Sequence, residues 1–226
     1  MDQPSVIWED NHLLAINKPA GWLVQGDATG DATLVDWCKN YIKEKYQKPG
    51  EAFLGVIHRL DRPVSGVVIF ARTSKALTRM NELFRSREVE KIYWALTDHV
   101  PPQKSGHLVH WLKKDEKKNR VTAFNKETVG ALRSELQYQS VASTHGTFLL
   151  ELRPLTGRSH QIRVQLASMG CSILGDLKYG SQFTTGDGSI ALHARRLSFQ
   201  HPVSKNRVEL SAMVPSRPWW DQFQEK

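Results

Sequence analysis

The sequence predicts an α+β protein dominated by sheet. Strand-like runs recur along the whole chain, only three stretches carry apolar residues at helical spacing, and neither an internal repeat nor a domain linker interrupts the 226 residues. That length suffices for one substantial core. Residues 1–226 therefore read as a single domain.

Taken in order, residues 6–8 and 13–16 form a short β-hairpin around the polar turn Glu9, Asp10, Asn11 and His12. Lys18, Pro19, Ala20 and Gly21 end its second strand, and a flexible loop runs from Gln25 to Asp31. Thr33 caps a helix on which Leu34, Trp37, Cys38, Tyr41 and Ile42 share one face, so Trp37 and Tyr41 read as core. Gly50 lies just beyond it. The stretch from Gly55 to Gly66 is polar, punctuated by two glycines and Pro63, and followed by the apolar run Val67, Val68, Ile69, Phe70, Ala71. It reads as a loop held between strands, and such loops carry function. With residues 58–61 extended, Arg59 and Asp61 project to one side and His58 and Leu60 to the other.

Ser74 caps a second helix with Leu77, Met80 and Phe84 as its apolar stripe. Residues 91–97 are a strand, ended by Pro101 and Pro102. From Lys104 to Arg120 the chain is polar and reads as a solvated loop, whose cluster from Lys113 to Arg120 is a candidate phosphate contact. Strands follow at 134–142 and 147–153. Ser159 is the candidate N-cap of a third helix, with Ile162, Leu166 and Met169 apolar and Gly170 as its stop, which puts Arg158 and Arg163 at its mouth and first turn. A Gly-rich loop between Gly180 and Gly188 and strands at 192–199 and 208–212 complete the chain.

Composition narrows the partner. The 31 Lys plus Arg against 23 Asp plus Glu leave a net charge of +8, and the isoelectric point is about 9.5. A basic excess favours a polyanion, and no basic amphipathic anchor points to a membrane. No run approaches the roughly 18 apolar residues of a membrane helix, and the first residues lack a signal-peptide pattern. A cytoplasmic protein is expected. Cys38 and Cys171 are too few for a disulfide framework and read as buried thiols.

The chemistry search is mostly negative. His107 and His110 are the one histidine pair at near-ligand spacing, in a polar segment, so no metal is expected. Neither a phosphate-cradling glycine motif nor Gly-x-Ser-x-Gly is present, so no nucleotide cofactor is expected either. What remains is Asp61 beside Arg59 and Arg62, with Arg158 and Arg163 further along. A carboxylate among guanidinium groups is an anion at neutral pH, suited to a nucleophile or an electrostatic base and unsuited to a general acid. A structural ion pair is the other reading of the same residues.

The string His58-Arg59-Leu60-Asp61, continuing to Ser65-Gly66, resembles the signature of the RluA family of RNA pseudouridine synthases. Further blocks agree in order: Asn17 to Gly21, Lys91 to Ala95, Gly157 to Val164, Leu174 to Gly180, and Leu192-His193-Ala194 with His201-Pro202. The resemblance spans nearly the whole chain. It implies a mixed, mostly antiparallel sheet flanked by helices and an enzyme that isomerises uridine in ribosomal or transfer RNA, with neither metal nor cofactor. Asp61 would be the catalytic aspartate and Arg59 would enter the RNA stack. Tyr93 would stack on the flipped uracil, and Arg163 would pair with Asp61, with Arg158 a further RNA contact. Val64 stands where the family usually has Thr, and Gln165 where His is often found. Only about 15 residues precede Asn17, so the form without an N-terminal S4 domain is implied, and a monomer is expected. The alternative from another class is a non-catalytic RNA-binding or RNA-folding factor on the same scaffold.

Overall fold

Where side chains alternate between apolar and polar, or stay apolar on both sides, a strand has somewhere to bury them. A computed structural model describes residues 2–26, 30–47 and 50–223. The expected loop from Gln25 to Asp31 lies partly outside the described residues. In chain order the elements are β1 (Ser5–Glu9), β2 (Leu13–Lys18), α1 (Leu34–Tyr46), β3 (Gly55–Val56), β4 (Ser65–Ala71), α2 (Ser74–Arg85), β5 (Glu90–Thr97) and β6 (Ser105–Asp115). After them come β7 (Arg120–Phe124), β8 (Leu132–Thr144), β9 (Thr147–Pro154), α3 (Gln161–Ser168), β10 (Leu192–Gln200), β11 (Arg207–Ser211) and α4 (Pro218–Asp221). They fall into two compact units. One is drawn from the chain up to Glu90 and from Ala194–Pro215, the other from Lys91–His193 and the residues from Ser216 on.

In the first unit β1, β2, β4 and β10 lie side by side, with β3 against β4 and β11 against β10. The expected hairpin is β1 and β2, antiparallel, with an irregularity between Val6 and Trp8. β2 and β4 are antiparallel, with Leu13 opposite Ala71 and Lys18 opposite Gly66. Every residue of β4 is buried, which its continuous apolar run requires. Leu13, Ala15, Val67 and Ile69 pack with Ala76 and Met80 of α2 and with Leu197, Phe199 and Leu210.

Thr33 caps α1 as expected. Its hydroxyl accepts the Asp36 N–H at 3.1 Å while the Asp36 carboxylate accepts the Thr33 N–H at 3.2 Å, a reciprocal capping box. Trp37 and Tyr41 are half-buried rather than core. They stack on each other at 5.7 Å, and the Tyr41 hydroxyl lies 3.1 Å from Glu9 Oε1, so a polar tip keeps this edge of the face at the surface. The cap of α2 is Thr73, one residue before the expected Ser74. Thr73 has the extended backbone of a cap, φ −141°, and its side chain accepts the Ala76 N–H.

In the second unit the order is β5, β9, β8, β6, β7, and all these pairs are antiparallel. The stretch from Lys104 to Arg120 is mostly strand β6, not a loop. Leu108, His110 and Leu112 turn inward while His107 and Lys113 face out. The inward positions include Gly106 and His110, which interrupt the apolar alternation that marks a strand. The charged cluster spans the end of β6 and the turn at residues 116–119 into β7, with Asn119 at φ 44°.

α3 also starts differently from the expectation. Ser159 is exposed and His160 precedes the helix with φ 49° and no side-chain cap. The turn is held from inside the helix. Gln161 Oε1 accepts from the Thr156 hydroxyl at 2.7 Å and from the Arg158 N–H at 3.0 Å, and Gln161 Nε2 donates to Glu135 O at 2.9 Å. Six consecutive residues of α3, Gln161 to Leu166, are buried. Val164 and Ala167 pack on Leu112, Val121 and Ala123. The short α4, with Trp220 buried, had no expectation attached. Among the described residues no helix is long and apolar enough to cross a membrane.

Candidate active site

The loop at 57–64 hangs between β3 and β4, which pair with each other, Gly55 opposite Ala71 and Val56 opposite Phe70. Its ends are therefore fixed. His58 stacks on Phe84 at 5.0 Å, and its Nε2 accepts the Ile69 N–H at 3.1 Å. Arg59 is exposed, Leu60 buried and Asp61 half-buried, the alternation of an extended chain. The Val64 N–H then donates to Asp61 O at 3.0 Å, closing a turn through Arg62 and Pro63. Val64 is buried at 2% exposure, so the residue that departs from the family pattern serves as an apolar anchor. Leu60 and Val64 point into the protein from both sides of Asp61, which fixes the stretch that presents its carboxylate.

Lys18 lies beneath this turn. It is fully buried, and its Nζ donates to Trp22 O at 2.8 Å, Pro19 O at 3.0 Å and Arg62 O at 3.2 Å. Three carbonyl acceptors match the three N–H donors of an ammonium. Burial pulls its pKa down from 10.5 to about 7; the Asp61 carboxylate opposes that shift and Arg62 adds to it. Arg62 completes the tie, its Nε donating to Gly21 O at 3.0 Å and its Nη1 lying 2.8 Å from Asp31. Sequence reasoning passed over Lys18. The signal was present, since it continues the inward positions Leu14 and Ile16 of β2, where a lysine must be bonded to be tolerated.

Gly66 shows why this end of the loop is tightly specified. Its φ is +117°, and a Cβ there would stand 2.3 Å from Ala194 O. Only glycine fits.

Tyr93, Arg158 and Arg163 belong to the second unit. Tyr93 is half-buried on β5, opposite Leu152 of β9. Arg158 is exposed, its backbone N–H engaged by Gln161. Arg163 is 6% exposed, and its side chain meets Asp176 edge-on, Nε to Oδ2 at 2.7 Å and Nη2 to Oδ1 at 2.8 Å. The Tyr179 ring lies 5.1 Å from its Cζ. Asp176 and Tyr179 sit in a block that the family resemblance covers, but their burial beside Arg163 has no local sequence signal. Gln165, the other departure from the family, is fully buried, and its Nε2 lies 3.1 Å from His110 Nδ1 and 3.3 Å from Leu108 O.

His107 and His110, three apart on β6, face opposite sides of the strand, with His107 3.4 Å from Glu135. Among the described residues no three His, Cys, Asp or Glu side chains are grouped to hold a metal.

Comparisons with known proteins identify the family. Residues 12–168 match the RNA pseudouridylate synthase family, and the chain belongs to that family. It is 32% identical over 220 residues to Ribosomal large subunit pseudouridine synthase D of Zymomonas mobilis, covering 93% of this chain and 69% of that protein. With Ribosomal large subunit pseudouridine synthase C of Vibrio cholerae it shares 29% over 219 residues, 92% of this chain and 64% of that protein. Among solved structures, Human RNA Pseudouridylate Synthase Domain Containing 4 matches with a TM-score of 0.78 at 28% identity, covering 93% of this chain and 88% of that one. Human RNA Pseudouridylate Synthase Domain Containing 1 shares the fold, with a TM-score of 0.74 at 22% identity over 97% of this chain and 87% of that one. The protein is thus an RNA pseudouridine synthase, an isomerase acting on uridine in RNA.

Proposed function

We propose that Asp61 is the catalytic aspartate and that the substrate is ribosomal RNA, since the two bacterial relatives are named for the large ribosomal subunit. The reaction detaches uracil from C1′ at N1 and reattaches it through C5. C5 then gives up its proton and N1 ends protonated, so no atom is gained or lost and no oxidant is needed. The Asp61 carboxylate acts at the uridine as nucleophile or electrostatic base. Arg59 takes the place of the extruded base in the RNA stack, Tyr93 stacks on the flipped uracil, and Arg163 pairs with Asp61. Arg158, exposed at the mouth of α3, contacts the RNA backbone. The protein works as a cytoplasmic monomer whose net charge of +8 supplies much of the RNA affinity.

The observation that carries this reading is the order exposed Arg59, buried Leu60, half-buried Asp61 on a loop tied down by Lys18. Extrusion costs a few kcal/mol of unstacking, and a guanidinium presented beside the carboxylate on a fixed loop is placed to offset it. Asp61→Asn keeps the shape of the side chain and removes its charge. Pseudouridine formation on ribosomal RNA should fall to background while RNA binding stays within a few-fold of wild type, measured by filter binding. An Asn variant that still made pseudouridine would refute the assignment.

A further inference from the structure

Arg163 is buried, and a buried guanidinium repays its desolvation only when fully bonded in good geometry. Two of the groups around it come from one turn. Asp176 precedes the single 3-10 turn Leu177–Tyr179, and the Tyr179 N–H donates to Asp176 O at 3.0 Å. Side chains three apart in such a turn lie above one another. Asp176 therefore takes the edge of the guanidinium while the Tyr179 ring lies 5.1 Å from Cζ, within cation–π reach.

The ring is itself held from two directions. Its hydroxyl oxygen accepts the Val121 N–H of β7 at 2.8 Å and lies 2.7 Å from His160 Nδ1. A phenol has one hydrogen and two lone pairs. The Val121 N–H takes one lone pair, and the hydroxyl meets His160 Nδ1 with its hydrogen or its second lone pair according to the imidazole tautomer. Burial pushes the Tyr179 hydroxyl pKa up, which keeps that hydrogen in place. His160 immediately precedes α3, the helix that carries Arg163. One phenol thus bonds both β7 and the residue that precedes the helix carrying the arginine.

We propose that Tyr179 is a positioning residue for the isomerisation: its ring and its doubly bonded hydroxyl set the guanidinium of Arg163 where the reaction uses it. This rests on the place given to Arg163 in the active site above. Tyr179→Phe keeps the ring and removes both hydroxyl bonds, whereas Tyr179→Leu removes the ring as well.

Three quantities test it in the full chain: the single-turnover rate at saturating RNA, the RNA Kd, and the Arg163 Nε–H resonance, assigned with Arg163→Lys. Tyr179→Phe should move that resonance and lower the rate about tenfold, with Kd within twofold, since misplacement of about 1 Å can cost up to a hundredfold. Tyr179→Leu should approach the hundredfold loss and abolish the ring-current contribution to the resonance. His160→Asn, which tolerates the positive φ, should move the resonance as Tyr179→Phe does, and it carries the test if Tyr179→Phe fails to fold. A Phe variant with wild-type rate and resonance overturns the proposal. So does a loss of rate that follows only the unfolded fraction seen by circular dichroism, with the resonance unmoved. The resonance is read on the free enzyme, so it reports on Tyr179 even if Asp61→Asn removes the basis for the catalytic assignment.

Discussion

Replacing Lys18 by Met should change how stability responds to pH. The lysine is fully buried, and its pKa falls from 10.5 to about 7, chiefly through burial, with Asp61 opposing and Arg62 reinforcing the change. Between those two values the unfolded chain holds a proton that the folded chain has released. Stability from this group therefore rises with pH across the window, and below about pH 7 its burial penalty is fully present. At about 1.4 kcal/mol for each pH unit, the whole window is worth roughly 5 kcal/mol. The three carbonyl acceptors hold the ammonium against release, so that figure is a ceiling. Met keeps the apolar stem and has no proton to exchange. Urea denaturation of both proteins at about pH 7, 8 and 9 should give wild type a slope steeper by up to about 1.4 kcal/mol per pH unit. Other groups cancel in the difference, including Cys38, whose pKa burial pushes up. Parallel curves for the two proteins would show that the folded Lys18 titrates normally, and the account of the turn under Asp61 would fail.

Two further substitutions bear on the site and its frame. Tyr93→Phe should keep most of the rate on RNA while Tyr93→Leu loses it, because base stacking on an aromatic ring is worth about 1–3 kcal/mol; equal rates in single-turnover assays would remove the stacking role. Gly66→Ala must adopt φ +117° with its Cβ 2.3 Å from Ala194 O, and should lose at least about 3 kcal/mol in denaturation; a loss under about 0.5 kcal/mol would contradict the close approach.

Much of the fold was legible because the relevant forces are local. The β1–β2 hairpin, the Thr33 cap and the wholly buried β4 follow from turn residues, a capping hydroxyl and an unbroken apolar run. β6 was not legible, because its inward positions include Gly106 and His110, residues that do not look apolar. The start of α3 was misread for a related reason: Ser159 has the chemistry of a cap, but Gln161 satisfies the turn from within the helix. The family resemblance supplied Arg59, Asp61, Tyr93 and Arg163 as expected site residues. Lys18, Asp176 and Tyr179 lay in matching blocks, yet what they do follows from burial and from partners elsewhere in the chain, such as Arg62 for Lys18 and Val121 for Tyr179.

The polar interior around α3 bears on what that helix is for. A surface helix of its length would show an apolar stripe and a polar face, yet Gln161, Arg163 and Gln165 are buried alongside Ile162, Val164 and Leu166. Each polar member is bonded across to another element: Gln161 to Glu135 of β8, Arg163 to Asp176, Gln165 to His110 and Leu108 of β6. Apolar residues of similar volume would give comparable or greater stability, since a buried ion pair barely offsets its own desolvation. Apolar packing, however, would let the helix slide by fractions of an ångström at little cost, whereas directional bonds of 2.7–3.1 Å to several strands and a turn fail together if it does. Those bonds give α3 a single placement, and with it the position of Arg163.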